Sequence, residues 1–239
     1  MDNSLTGQNK NYWQNYKPGE VPSVPKNLPL ELIDQVSGPV LDVGTGDGAL
    51  AEDLSRNGFE VYGIDVAENI ITENQKRKTN VYYSIDDITR RTKFLDNFFD
   101  LLIFKFTLTN IHKDSWSRVA KEVLRILKPS GKIWILEPLV SQSYKKRYEL
   151  ASDFIDDQNC VYVFNDKDLA DKVATTDDLQ KAIEDKKVSR IVKHYTVKEL
   201  ENIFHKLKLE DYRIIKVISP SGFVIKTFEG IFSKKNKSH

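Results

Sequence analysis

From Val40 onward the apolar positions switch repeatedly between short continuous runs and spacings of three or four. VLDV (40–43), FEVYGID (59–65), VYYSI (81–85), FFDLLIFKF (98–106) and KIWILE (132–137) are of strand length and bounded by Gly, Pro, Asn or Asp. Near-continuous apolar runs of this kind suit strands of a parallel sheet, which are buried on both faces. Between them, GALAEDLSRNG (48–58) sets Leu50 and Leu54 four apart with Gly58 as a stop, and a polar helix is predicted near 67–77. A further helix follows Asp114, a candidate N-cap, with Trp116, Val119, Ala120, Val123, Leu124 and Leu127 on its inward face. Strand and helix alternating at this spacing predict an α/β fold with a doubly wound sheet.

The flanking regions read differently. Residues 1–36 form an N-terminal arm with cap helices: Tyr12 and Tyr16 sit four apart, Pro18, Pro22, Pro25 and Pro29 keep 18–29 extended, and a short helix is expected near 29–36. Residues 37–140 are the core. Residues 141–190 break the rhythm and read as an inserted helical lid, two or three helices with one apolar stretch, CVYVF (160–164). In 191–239, VKELENIFHKLKLE (197–210) has helical period, and DYRIIKVIS (211–219) and GFVIKTFEG (222–230) are two strands. Their connection is too short for a parallel crossover, so the pair is an antiparallel hairpin. The sheet is then seven-stranded and mostly parallel.

Composition narrows the class. The chain is 40% apolar and 30% charged, an ordinary globular balance. Nothing in it approaches the ~18 apolar residues of a membrane helix, so no membrane partner is expected. The N-terminus lacks a charged-then-apolar export pattern, and the single cysteine, Cys160, excludes an internal disulfide or a cysteine-cluster metal site. A cytoplasmic protein without bound metal is the expectation. Thirty-six basic against 35 acidic residues, net +1, argues against nucleic acid as partner, because phosphate contacts call for a strongly basic face. Residues 151–190 hold ten acids and six bases, which favours a neutral or cationic acceptor over a phosphorylated one.

The chemistry concentrates in L41-D42-V43-G44-T45-G46-D47-G48. Three glycines in a strand-to-helix turn let a ligand approach the backbone, and the following helix N-terminus offers N–H donors. Asp65 closes the second strand 21 residues after Gly44, where a carboxylate can accept from both hydroxyls of a ribose. An adenosine-containing ligand is implied. A dinucleotide would set its diphosphate against Asp42 and Asp47, whereas S-adenosylmethionine (SAM) brings an ammonium and a sulfonium to the same acids. Electrostatics prefers SAM.

VLDVGTGDG followed by VYGIDVA resembles the glycine-rich motif and acidic strand end of class I SAM-dependent methyltransferases of the small-molecule type. The likeness continues through SIDDI (84–88), NFFDLLIF (97–104) and VLRILKPSGKIWILEP (123–138), and the terminal hairpin is similar to the last strand pair of that Rossmann-like fold. Thr45 and Asp47 depart from the Cys and Thr of many members, and Thr109 and Asn110 stand where many carry a His pair. The resemblance implies that Gly44, Thr45 and Gly46 lie along the methionine part of SAM, with Asp42 and the Phe104 carbonyl near its ammonium. It implies further that Asp65 holds the ribose, Val66 packs on the adenine with Ile88 beside the ring, and Asp86 or Asp87 accepts from the adenine amino group. Tyr12 and Tyr16 would close over the cofactor.

The activity so implied is transfer of a methyl group to an O or N atom of a small-molecule acceptor. Acceptors that enter protonated need a base. His112, just past the fourth strand, and His194, at the return from the insertion, are the catalytic candidates, and Glu137 would either bind substrate or cap the sheet edge. The competing readings are a non-catalytic SAM-binding regulator or partner subunit of the same fold, and an NAD-dependent oxidoreductase, against which the terminal hairpin argues.

Overall fold

The computed structural model describes residue 14 and residues 28–141, 154–155, 159–164, 176–185, 187–218 and 224–234. In chain order, α1 (Leu30–Ile33) leads into β1 (Val40–Val43), α2 (Ala49–Arg56), β2 (Val61–Asp65), α3 (Glu68–Lys76), β3 (Val81–Ile85) and β4 (Phe99–Lys105). Then follow α4 (Trp116–Ile126), β5 (Leu127–Pro138), β6 (Phe154–Ile155), β7 (Cys160–Phe164), α5 (Thr176–Glu184), β8 (Val188–Lys193), α6 (Val197–Ile203), β9 (Leu207–Ile218) and β10 (Val224–Lys234). Among the described residues, no helix is long and apolar enough to cross a membrane.

Seven strands make one sheet in the order β3-β2-β1-β4-β5-β10-β9. The first five run parallel, and β10 is antiparallel to both β5 and β9. The chain lays β2 and β3 to one side of β1 and then returns to add β4 and β5 on the other. The carboxyl ends of β1 and β4 therefore flank a topological switch point, the crevice where doubly wound sheets bind ligands.

β1 is buried along its whole length because both faces are covered. Leu41 and Val43 join a core cluster with Ile64, Phe104, Val119, Val123 and Ile126, while Val40 packs on the other face with Leu32, Leu50, Leu54, Leu101 and Ile103. Strand alternation sends Asp42 to that second face, a carboxylate in an otherwise apolar layer. Two boundaries depart from expectation. Asp114 does not cap α4: its backbone N–H bonds His112 Nδ1 in a 3₁₀ turn, and the helix starts at Trp116. The helical period of 197–210 stops at Ile203, because Leu207 already pairs with Lys234 in the β9–β10 ladder.

Of the segment read as an inserted helical lid, 141–190, one helix is described, α5, and CVYVF is a strand. The described residues form a three-stranded antiparallel sheet, β6-β7-β8, with α5 on one face, while 142–153, 156–158, 165–175 and 186 lie outside the described residues. Runs of five or six β-branched and aromatic residues are too short for periodicity to separate a strand from a helix. Leu179, Ala182 and Ile183 of α5 pack on Cys160, Tyr162, Phe164 and Ile191, and the opposite face, with Val161, Val163 and Val192, meets Ile225 of β10. The excursion starts and ends at one point: Leu139 bridges Tyr195, Val140 N donates to Tyr195 O (2.9 Å), and Tyr195 N donates to Pro138 O (3.1 Å).

Candidate functional site

The loop after β1 is held by β2 and α3. Gly44 N and Thr45 N donate to Ile64 O at 2.8 and 2.9 Å, Gly46 N donates to Asp65 Oδ2 at 3.1 Å, and Asn74 Nδ2 donates to Gly46 O at 2.8 Å. Arg77 reaches the Asp47 carbonyl at 2.6 Å and pairs with Glu52 at 2.8 Å. Gly46 has φ +53, and a Cβ added there would meet nothing nearer than Gly44 O at 4.0 Å. Its flank is open. Gly44 answers a different need: a Cβ there would lie 2.7 Å from the methyl of Thr107.

Three acids surround this loop. Asp42 accepts from Thr45 Oγ1 at 2.8 Å, and burial pushes its carboxyl up to about 6. The Thr45 bond and Lys105 pull against that rise, and the charges of Asp65 and Asp47 add to it. Asp65 is likewise raised by burial, opposed by N–H bonds from Ala67, Gly46 and Val66. The exposed Asp47 turns its side chain onto Ala49 N at 3.1 Å, so a carboxylate already occupies the N-terminus of α2 where a diphosphate would sit. The field suits a cationic ligand.

The other expected contacts line the same edge. Val66 is half-buried just beyond β2, Ile88 is buried in the cluster containing Ile64, and Phe104, one residue before the end of β4, pairs with Val43 and Ile135. Asp86 and Asp87 are half-buried and locally engaged: Asp86 accepts from Asp87 N (2.8 Å), and Asp87 accepts from Thr89 N (2.9 Å) and Thr89 Oγ1 (2.7 Å). Tyr12 and Tyr16 lie outside the described residues.

After β4 the chain makes a turn that sequence reasoning did not resolve. Phe106 takes φ 55, rare for a bulky residue, held by Phe106 N to Leu136 O (2.8 Å) and Asn110 Nδ2 to Phe106 O (2.9 Å). Such strained backbone tends to persist at functional sites. The buried Glu137, at the end of β5, accepts from Thr107 N (2.7 Å), Leu108 N (2.7 Å) and Thr109 N (3.1 Å). Burial pushes its carboxyl up to about 8 against those three donors. Glu137 thus caps the 107–109 turn, a role distinct from both the substrate contact and the sheet-edge cap expected for it. Thr107 Oγ1 in turn donates to Val43 O at 2.6 Å, tying the turn to the glycine loop.

The insertion also grips this turn. Tyr195 Oη donates to Leu108 O (2.6 Å), Thr109 Oγ1 to Lys193 O (2.7 Å) and Arg190 to Asn110 Oδ1 (3.3 Å). His112 lines a small cleft with Thr109, Ile111, Lys113, Cys160, Ile191 and Lys193, and its Nδ1 lies 3.2 Å from an Asp114 carboxylate oxygen. His194 is buried beside Asn159 O, to which its backbone N–H donates at 3.1 Å, and is not among that cleft's lining residues. Asn74, Arg77, Thr107 and Arg190 were missed from sequence, and no local motif marks them.

A seven-stranded sheet of this order, with an antiparallel strand beside β5, a glycine loop at the switch point and an acid ending β2, defines the class I SAM-dependent methyltransferase fold. Residues 41–135 match the methyltransferase domain family. A ubiquinone/menaquinone biosynthesis C-methyltransferase of Desulfotalea psychrophila is 33% identical over 108 residues, 44% of this chain and 43% of that protein. A ubiquinone biosynthesis O-methyltransferase of Coxiella burnetii is 32% identical over 99 residues, 40% and 41% of the two. The chain thus spans less than half the length of these curated relatives. The solved structure of a SAM-dependent methyltransferase from Methanosarcina mazei superposes with a TM-score of 0.69 at 21% identity, covering 87% of this chain and 98% of that one.

Proposed function

We propose that the chain transfers the methyl group of SAM to an oxygen or nitrogen atom of a small-molecule acceptor bound beside the turn that follows β4. The observation that carries the reading is Asp65: it ends β2 at the switch point and accepts from the N–H of Gly46, a glycine whose Cβ position is open. A ribose there would share its two hydroxyls with this carboxylate. Asp42 and the Phe104 carbonyl would take the ammonium, Gly44, Thr45 and Gly46 would follow the methionine chain, Val66 and Ile88 would flank the adenine, and Asp86 or Asp87 would accept from its amino group. Tyr12 and Tyr16 would close the site.

SAM supplies a methyl carbon activated by its sulfonium. Displacement at that carbon is in line, so the chain's part is to hold the acceptor atom opposite the sulfur and to keep water out. The grip of 188–195 on the turn at 107–110 suits both tasks, and residues 141–190 are proposed to cover the acceptor. His112 is the proposed base for an acceptor that enters protonated. The names of the two relatives, a C- and an O-methyltransferase of quinone biosynthesis, support a small organic acceptor.

The test is release of S-adenosylhomocysteine (SAH) from SAM by the full chain with a panel of phenols, amines and hydroxyquinones. Turnover is expected, falling by ~10²-fold in His112→Ala with SAH affinity unchanged by calorimetry. SAH binding without turnover across the panel would replace this reading by that of a SAM-binding regulator. A retained nicotinamide with no SAM affinity would overturn it.

A further inference from the structure

Within the glycine loop, Thr45, Gly46, Asp47 and Gly48 make a β-turn, closed by Gly48 N donating to Thr45 O at 3.0 Å. Gly46 has a positive φ and Asp47 does not, the signs of a type II′ turn. The alternative, type I′, turns the middle peptide over and asks only for a positive φ at Asp47, which aspartate tolerates. That middle peptide, Gly46–Asp47, is held from α3. Asn74, buried on the last turn of the helix, donates through Nδ2 to Gly46 O at 2.8 Å. Arg77 Nη2 donates to Asn74 Oδ1 and, at 2.6 Å, to Asp47 O, and Nη1 pairs with Glu52 of α2 at 2.8 Å. A carbonyl only accepts and a guanidinium only donates, so these partners allow the Asn74 amide one orientation. C=O and N–H of a trans peptide point in opposite directions, so Asp47 N–H faces away from α3.

Turned over, the peptide would set the Gly46 carbonyl oxygen where the Asp47 N–H now stands. Asp42, Asp47 and Asp65 already surround the loop with carboxyl groups, which suit the ammonium and sulfonium of SAM and repel its carboxylate. An N–H on the outer side of the turn is the complement that carboxylate needs. We propose that Asn74, braced by Arg77, is a positioning residue for SAM: by holding Gly46 O it keeps the Gly46–Asp47 N–H outward and so determines affinity for the amino-acid end of the donor. Both side chains act through the loop. Ile70 and Ile71 are buried and anchor α3 independently, so the polar pair is not what holds the helix to the sheet. This inference rests on the methyltransferase reading above.

The experiment titrates the full chain with SAH and with 5′-methylthioadenosine, which keeps the adenosine and lacks the amino-acid end, by calorimetry. The wild type is expected to bind SAH at least about tenfold more tightly than 5′-methylthioadenosine. Asn74→Asp sets an oxygen against Gly46 O in a side chain of the same shape. It should remove most of the preference while 5′-methylthioadenosine affinity stays within about twofold of wild type. Arg77→Ala, at an exposed side chain, should lower SAH affinity selectively by about three- to tenfold, the worth of one hydrogen bond, and Arg77→Lys should recover part of it. Equal losses for the two ligands would make the pair a brace of the fold and overturn the proposal, and so would SAH affinity unchanged in both Asn74→Asp and Arg77→Ala. If the wild type binds neither ligand, the methyltransferase reading itself falls; if it binds both and the variants do not discriminate, only the role of Asn74 and Arg77 falls.

Discussion

On the donor side of the site, the residues that shape it run from Asp42 to Arg77, over two strands and the helices that follow them. On the acceptor side, Glu137 caps residues 107–109, Tyr195 reaches Leu108, and Arg190 reaches Asn110, pairs separated by 28 to 87 positions. The donor side is rigid by local rule: glycines at positive φ, a strand-end acid bonded to the loop, and a helix N-terminus capped by Asp47. The acceptor side depends on long-range pairs around one buried carboxylate. The contrast teaches that the glycine loop is braced mainly by neighbours within one contiguous segment, while the turn after β4 is assembled from distant ones.

That contrast can be broken. Gly46→Val forces a β-branched residue into φ +53 and fills the open flank, and should abolish measurable SAH binding while circular dichroism keeps the native fold and the melting temperature falls by only about 2–8 °C, the cost of the backbone strain. A large loss of fold would mean that the donor loop is structural rather than a cradle. Glu137→Ala leaves three N–H groups without their acceptor and should destabilise the protein by roughly 3 kcal/mol, a fall of about 6–12 °C in melting temperature by calorimetry. A change under about 2 °C would show that the acceptor turn does not hang on this carboxylate.

Asp65→Ala should weaken SAM binding by ~1.5–3 kcal/mol, read by calorimetry, because it removes charge-assisted bonds to the ribose; unchanged affinity would refute that role. The smallest effect is in pH. Asp42 has its carboxyl raised from 3.8 to about 6, so the unliganded fold gains stability from its proton below 3.8 and loses that increment as pH rises through about 6. A cationic ligand prefers the charged form. SAH affinity should therefore be flat above pH 7 and fall by up to about tenfold per unit below 6. The thermal shift produced by SAH should grow over the same interval, and Asp42→Asn should flatten both curves.

Much of the fold was legible because it is local. VLDV and VYYSI are strands at the residues their apolar runs mark, and the hairpin follows from a connection too short to cross over. In the insertion the sequence does not type CVYVF and VSRIV, which are strands, because runs this short are equally compatible with a buried helix segment. Asp114 lost its capping role to a 3₁₀ turn in which His112 holds its backbone N–H. Asn74 and Arg77 look like any polar residues of a surface helix, and nothing near them in the chain signals that they clamp the glycine loop.

The amino-acid sequence by itself determined the alternating strands and helices, the glycine loop with its flanking acids, and hence the adenosyl-ligand chemistry. Each of these follows from backbone sterics or from periodicity within a few residues. Tertiary structure alone decided which polar groups became partners: that Glu137 would collect three N–H donors, and that Arg190 would meet Asn110. Those outcomes depend on which distant strands share a sheet edge, and a buried charge acquires its partner only when packing has removed the water that would otherwise serve.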